Sequence, residues 1–280
     1  MDPIQAIVIA VVQGATELFP VSSLGHAVVL PALLHWHMDQ HGDTFLPFLV
    51  MLHVGTALAL LGFFWKDWMA ILRGLIGMGS AHEVREARRV FLLIVIATIP
   101  VVILGGGLEH LLRRVFATPL IAAVFLIVNG LVLLVGEKLK GSRTSTLALS
   151  KLGARDAFII GCWQCLALIP GMSRSGASIL GGVLRGLDHE DSAHFSFLIA
   201  LPVIVAAAVL EVPKLMHDHA AHGAMGLAVA AAVVAGVTAL ASTAFLMRWF
   251  RGHDSWGMAP FAIYCIVAGA LSAGYLFITG

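Results

Sequence analysis

The chain has 280 residues, of which 59% are hydrophobic and 12% charged, and its formal net charge at pH 7 is +1. A mean hydropathy of +0.95 is far above that of a soluble domain of this length, so the composition describes a polytopic membrane protein. The near-zero net charge leaves no electrostatic footprint for nucleic acid, and Asp2 and Pro3 stand where a cleavable signal would be basic.

The first apolar region, 3–33, is interrupted by a polar turn that carries Glu17, Pro20, Ser22, Ser23, Gly25 and His26. Its flanks, 4–16 and 23–34, are each too short to cross roughly 30 Å of hydrocarbon. A hairpin that enters and leaves on one side suits them better, and such backbone persists at membrane depth only where protein or water covers it. Three uninterrupted apolar stretches follow near 46–64, 90–107 and 119–136. A second interrupted region, 154–185, turns at Pro170, Gly171, Ser173, Arg174, Ser175 and Gly176, and spans near 194–212, 224–247 and 258–278 complete the chain.

The expected fold is an all-α polytopic membrane protein, a single integral membrane domain over 1–280. It divides into two inverted-topology repeats, about 1–136 and 153–280, each a re-entrant helical hairpin followed by three transmembrane helices. Three crossings between the hairpins bring the second in from the opposite face, so the two turns meet near the midplane. Loop charge supports the same count. Thirteen Lys and Arg, from Lys66 and Arg73 to Arg248 and Arg251, fall on one face, against Arg113, Arg114 and Lys214 on the other. The first face is therefore cytoplasmic, both termini lie outside, and the first hairpin opens outward.

The turns hold the ionisable groups. Gln13 and Glu17 are four residues apart and share a helical face before Pro20. Of 17 Lys and Arg residues, Arg174 is the one at membrane depth, and Glu17 is its clearest acidic counterpart. Guanidinium geometry suits phosphate, and a helix starting after a Pro-Gly turn presents free N–H groups to the same ligand. A serine or histidine beside a carboxylate could act there as nucleophile or base on a phosphoryl group. The competing reading is a structural Glu17–Arg174 ion pair that staples the hairpins together.

With these residues in place, the chain resembles the undecaprenyl-pyrophosphate phosphatase family of bacterial inner-membrane enzymes, the bacitracin-resistance proteins. Gln13, Glu17, Pro20, Ser22, Ser23, Gly25 and His26 match its first motif, and Pro170, Gly171, Ser173, Arg174, Ser175 and Gly176 its second. The segments 164–170, 195–202 and 260–264 also look like family text, so the resemblance runs over essentially the whole chain. It implies hydrolysis of undecaprenyl pyrophosphate to undecaprenyl phosphate and inorganic phosphate, which recycles the lipid carrier for peptidoglycan synthesis and confers bacitracin resistance. It further implies a divalent cation, Mg²⁺ or Ca²⁺, with Glu17 as metal ligand or base. By the same resemblance Ser23 is the candidate nucleophile, His26 the competing nucleophile or general acid, and Arg174 the pyrophosphate clamp. Ser22, Gln13, Ser173, Ser175, Gly171 and Gly176 would line the substrate site. Two departures stand out: Gln13 occupies a position often taken by Glu, and Leu24 replaces a common hydroxyl residue. A neutral amide is a poorer ligand for a hard cation, which weakens a two-carboxylate metal site.

Other readings remain open on the residues alone. A flippase or transporter of the lipid carrier would show the same inverted repeats and midplane site. A phosphatidic-acid-type phosphatase needs a second histidine soon after the Ser-Arg pair, and none follows Arg174 before His189. Cys162 and Cys165 have the spacing of a redox dithiol without the βαβ context that supports one, and Cys265 is also in an apolar stretch. His35, His37, His41, His217, His219 and His222 read as solvated loop histidines, and His53 as a hydrogen-bonded interior residue. The Ala/Gly-rich helix from Gly223 to Met247 permits close packing and would suit a homodimer contact.

Overall fold

The computed structural model describes residues 2–36, 40, 44–108, 118–140, 147–217, 222–253 and 255–279. His37, His41, His219, Arg113, Arg114 and Arg143 lie outside the described residues, as do the side chains of Lys214, His217 and His222. Among the described residues the regular structure is entirely helical. Six helices are long and apolar enough to cross a membrane: α3 (Phe45–Phe63), α5 (Ala81–Gly107), α6 (Pro119–Lys140), α9 (His189–His217), α10 (His222–Gly252) and α11 (Ala259–Thr279). Their positions match the six spans expected from hydropathy. The charged ends are longer, because α5 begins at a Ser80–Glu83 capping box well before the apolar stretch.

The interrupted regions form two helix–turn–helix pairs, α1 (Pro3–Thr16) with α2 (Ser23–Leu33) and α7 (Ala154–Gln164) with α8 (Arg174–Leu184). The longest has 14 residues. At about 1.5 Å per residue, none of the four reaches across roughly 30 Å of hydrocarbon. Asp2 caps α1 by accepting from the Ile4 and Gln5 N–H groups. The inner helices α2 and α8 start alike: the Ser22 hydroxyl accepts from Gly25 N and the Ser173 hydroxyl from Gly176 N.

One helix was not expected. Residues 65–75 read as loop, yet α4 (Trp65–Leu75) is helical. Trp65, Met69, Leu72 and Ile76 are exposed on it while Ile71 and Gly74 pack inward, the habit of a helix lying at a membrane surface.

Packing between helices relies on small residues. A Cβ on Gly14 would collide with the Ala235 carbonyl, and one on Gly55 with the Ala232 carbonyl, so α1 and α3 approach α10 backbone to backbone. One small-residue face of α10, which sequence alone offers to a second subunit, is thus used within the chain. Phe195, Phe197, Leu60, Leu133 and Leu246 anchor the larger apolar core between α3, α6, α9 and α10. At the end of α6, Lys140 is buried rather than a loop charge: it contacts His189 Nδ1 at 3.2 Å, while His189 Nε2 meets Glu137 Oε1 at 2.6 Å. Cys162, Cys165 and Cys265 are free thiols.

Candidate active site

The two polar turns touch. Ser175 Oγ donates to the Phe19 carbonyl at 2.9 Å, and Ser173 Oγ reaches the same oxygen at 3.4 Å. Asn129 of α6 clamps both: its Nδ2 donates to the Pro20 carbonyl at 3.0 Å and its Oδ1 accepts from Ser173 N at 3.0 Å. Gly171 has φ +95°, which an L side chain rarely adopts, and a Cβ there would meet the Ala122 carbonyl. Gly25 lies against Gly171, and Gly176 against Pro20, so glycine at each position lets the turns close on one another. Ser22, at φ 68°, is strained backbone immediately before Ser23.

Glu17 is the centre of the arrangement and is 6% exposed. Its Oε1 accepts from Arg174 Nη2 at 3.0 Å. Its Oε2 accepts from Ser23 Oγ at 2.5 Å and Gln13 Nε2 at 3.0 Å, and lies 3.2 Å from His53 Nε2. Arg174 also donates from Nη1 to the Ser196 carbonyl at 3.2 Å, and its Nε has no partner among the described residues. Glu17, Ser22, Ser23, His53, Ser173 and Arg174 line a cavity of about 200 Å³ whose remaining wall is apolar, including Leu168, Met172, Val203 and Ile204. Ser23 and Arg174 are the first residues of α2 and α8. Two helix N-termini therefore meet at one cavity, a setting that favours an anion.

The structure thus brings Gln13, Glu17, Ser22, Ser23, Ser173 and Arg174 together. It does not bring His26 to that wall. The His26 ring is held between the Ser22 carbonyl (Nδ1, 2.7 Å) and the Tyr264 hydroxyl (Nε2, 2.8 Å), outside the cavity lining. Ser175, Gly171 and Gly176 are buried in the turn–turn contact. Two residues carry more of the arrangement than their sequence setting implies: Asn129, a lone amide in an apolar span, and His53, which reads as interior. A polar side chain in a span was the available signal for both.

A divalent cation would need several oxygen or nitrogen ligands from this cavity. Among the described residues Glu17 is the one carboxylate lining the cavity, and both its oxygens are already engaged. Among the described residues no three His, Cys, Asp or Glu side chains gather as a metal site. Gln13 Oε1 is a buried acceptor without a partner among the described residues, but one amide oxygen does not complete a cage. The described residues do not fit a protein-held divalent cation.

Short paired helices around a buried carboxylate, serine and arginine, within a bundle of membrane-length helices, define a multi-pass membrane protein with a buried polar cavity. The chain belongs to the family described as bacitracin resistance protein BacA, whose profile matches residues 6–271. It is 61% identical to an undecaprenyl-diphosphatase of Granulibacter bethesdensis, over 99% of this chain and 97% of that protein. It is 56% identical to the undecaprenyl-diphosphatase of Acidiphilium cryptum, with 97% of each covered. The corresponding protein of Gluconobacter oxydans is 54% identical, over 99% of this chain and all of that one.

Proposed function

We propose that this protein hydrolyses undecaprenyl pyrophosphate to undecaprenyl phosphate and inorganic phosphate, with Ser23 as nucleophile. The observation that carries this reading is the 2.5 Å hydrogen bond from Ser23 Oγ to Glu17 Oε2, in a cavity that also presents Arg174. Glu17 takes the Ser23 proton as Oγ attacks the terminal phosphorus. The bond between that phosphorus and the bridging oxygen breaks, and the proton passes from Glu17 to departing undecaprenyl phosphate. Glu17 then accepts a proton from the water that attacks phosphoserine, the bond between phosphorus and Ser23 Oγ breaks, the proton passes from Glu17 to Ser23 Oγ, and phosphate leaves. Arg174 and the N-termini of α2 and α8 neutralise the charge that develops on the phosphoryl oxygens. Serine is favoured over His26 because both His26 nitrogens are engaged away from the cavity.

The substrate's isoprenoid chain stays in the bilayer, since each CH₂ moved into water costs about 0.8 kcal/mol. A groove between α5 and α9, lined by Ile94, Ile99, Val102, Pro202 and Val205, offers it a path. The same two helices contribute Val101, Val203 and Ile204 to the cavity, so headgroup and tail share one seam.

In this reading the short pairs are re-entrant hairpins of two inverted repeats in the bacterial inner membrane, with both termini outside and the site open outward. Pairwise packing supports it. Exchanging α1, α2, α3, α5 and α6 for α7 to α11 converts the α1–α10 contact into α7–α5 and α2–α11 into α8–α6, while α3–α9 and α6–α11 map onto themselves. Product of this reaction re-enters lipid-linked cell-wall synthesis, and removal of the pyrophosphate form underlies bacitracin resistance. The test is phosphate release from undecaprenyl pyrophosphate by purified protein in detergent. Loss of release in Ser23→Ala, Glu17→Ala and Arg174→Ala supports the reading, and undiminished release in all three sinks it.

A further inference from the structure

His53, on α3, has a geometry that a merely interior histidine does not need. Its Nδ1 lies 2.8 Å from the Leu49 carbonyl and its Nε2 3.2 Å from Glu17 Oε2. The Leu49 carbonyl accepts, and with Glu17 ionised its carboxylate accepts too, so the two contacts are satisfied together by imidazolium, in which both ring nitrogens donate. The side chain is 24% exposed, and that exposure is to the cavity it shares with Ser23 and Arg174. Gln13 completes the setting: its amide donates to the same Glu17 oxygen, where a second carboxylate would repel.

We propose that His53 is a positioning residue for phosphoryl transfer, which holds Glu17 Oε2 against Ser23 Oγ and supplies a second positive charge to the pyrophosphate cavity. This rests on the reading of Ser23 and Glu17 as nucleophile and base. With Glu17 and Arg174 alone, the side-chain charges in the cavity cancel. Imidazolium tips the balance positive before a polyanion arrives, and a low-dielectric surround makes that charge count. The hydrogen bond does separate work. Glu17 Oε2 serves three donors, Gln13, Ser23 and His53, and removal of one lets the carboxylate turn toward Arg174, which already holds the other oxygen. A displacement of about 1 Å in a base can lower turnover about 10²-fold.

The two contributions separate in a substitution series measured on full-length protein in detergent with undecaprenyl pyrophosphate. His53→Gln keeps an N–H donor and loses the charge, so it retains kcat within a few-fold and raises KM. His53→Leu loses both, so kcat falls about 10- to 100-fold as for other orienting partners, with KM also raised. Single-turnover formation of phosphoserine at Ser23 slows in His53→Leu by the same factor as kcat. Thermal unfolding of each variant identifies the folded fraction to which rates are normalised. Unchanged kcat in His53→Leu overturns the proposal, as does equal loss in the Gln and Leu variants, which would make the residue a packing element. Ser23→Ala keeps the two levels apart: full activity in it refutes the nucleophile assignment whatever the His53 series returns.

Discussion

Asn129 is the residue through which the two halves of the site are held in register, and its removal provides a sharp test of the turn–turn architecture. The side chain is 1% exposed and touches no wall of the cavity, so its substitution leaves the substrate's surroundings chemically intact. Asn129→Ala takes the acceptor from Ser173 N and a donor from the Pro20 carbonyl, both at 3.0 Å. An unsatisfied buried backbone group costs about 1–3 kcal/mol. Cys265 Sγ, 3.7 Å from the Pro20 oxygen, offers that carbonyl only a weak substitute, so the total is ~2–4 kcal/mol. Because Ser173 and Pro20 sit beside Arg174 and the Glu17 turn, the lost register also reaches catalysis, and kcat falls at least about tenfold. The assay pairs a thermal scan at fixed rate with phosphate release per folded protein. A lowered Tm together with lowered kcat is expected. Unchanged Tm and kcat would refute the claim that Asn129 joins the turns.

Further outcomes follow from the same geometry. Glu17→Gln keeps the shape of the side chain but removes the proposed base, and phosphate release falls by about 10²–10⁴ in protein that remains extractable and folded, as judged by size-exclusion profile. Arg174→Lys replaces a fork that reaches both Glu17 and the Ser196 carbonyl by a point charge that reaches one, and kcat/KM falls at least about 100-fold, or ~3 kcal/mol. Gly171→Ala forces a side chain into a left-handed backbone and onto the Ala122 carbonyl, and the protein is recovered in low yield with a markedly lower Tm. Ile99→Trp fills the groove between α5 and α9; the loss of ~1–2 kcal/mol of tail contact lowers kcat/KM for the C55 substrate about tenfold while leaving a C15 pyrophosphate nearly unaffected. Equal effects on both chain lengths would move the tail elsewhere.

Much of this was legible in the chain itself, for one physical reason: hydrocarbon penalises polar groups. Pro, Gly, Ser, Glu and Arg in the middle of apolar runs marked both turns, and the scarcity of acidic partners for Arg174 pointed to Glu17, which the 3.0 Å contact bears out. What escaped reading depends on helix phase or on backbone. The weight carried by the Phe19 and Pro20 carbonyls has no side-chain signature. His26 stands beside Ser23 in the motif, yet its ring turns back to the Ser22 carbonyl and across to Tyr264, which is 238 residues away. Asn129 and His53 are single polar residues in long apolar helices, a pattern that fits packing as well as chemistry until the facing residues are known. The helix α4 was hidden because its charged residues, Lys66, Asp67 and Arg73, dilute hydropathy while its apolar positions keep the helical period.

In the proposed reaction Ser23 attacks the terminal phosphorus with Glu17 as its base. Rapid quenching of the purified protein with undecaprenyl pyrophosphate carrying a radiolabelled terminal phosphate, followed by peptide mapping, tests it most directly. The expected result is transient acid-stable label on Ser23, absent in Ser23→Ala and slowed in Glu17→Gln. Acid-labile label on His26, or full turnover by Ser23→Ala, would contradict it.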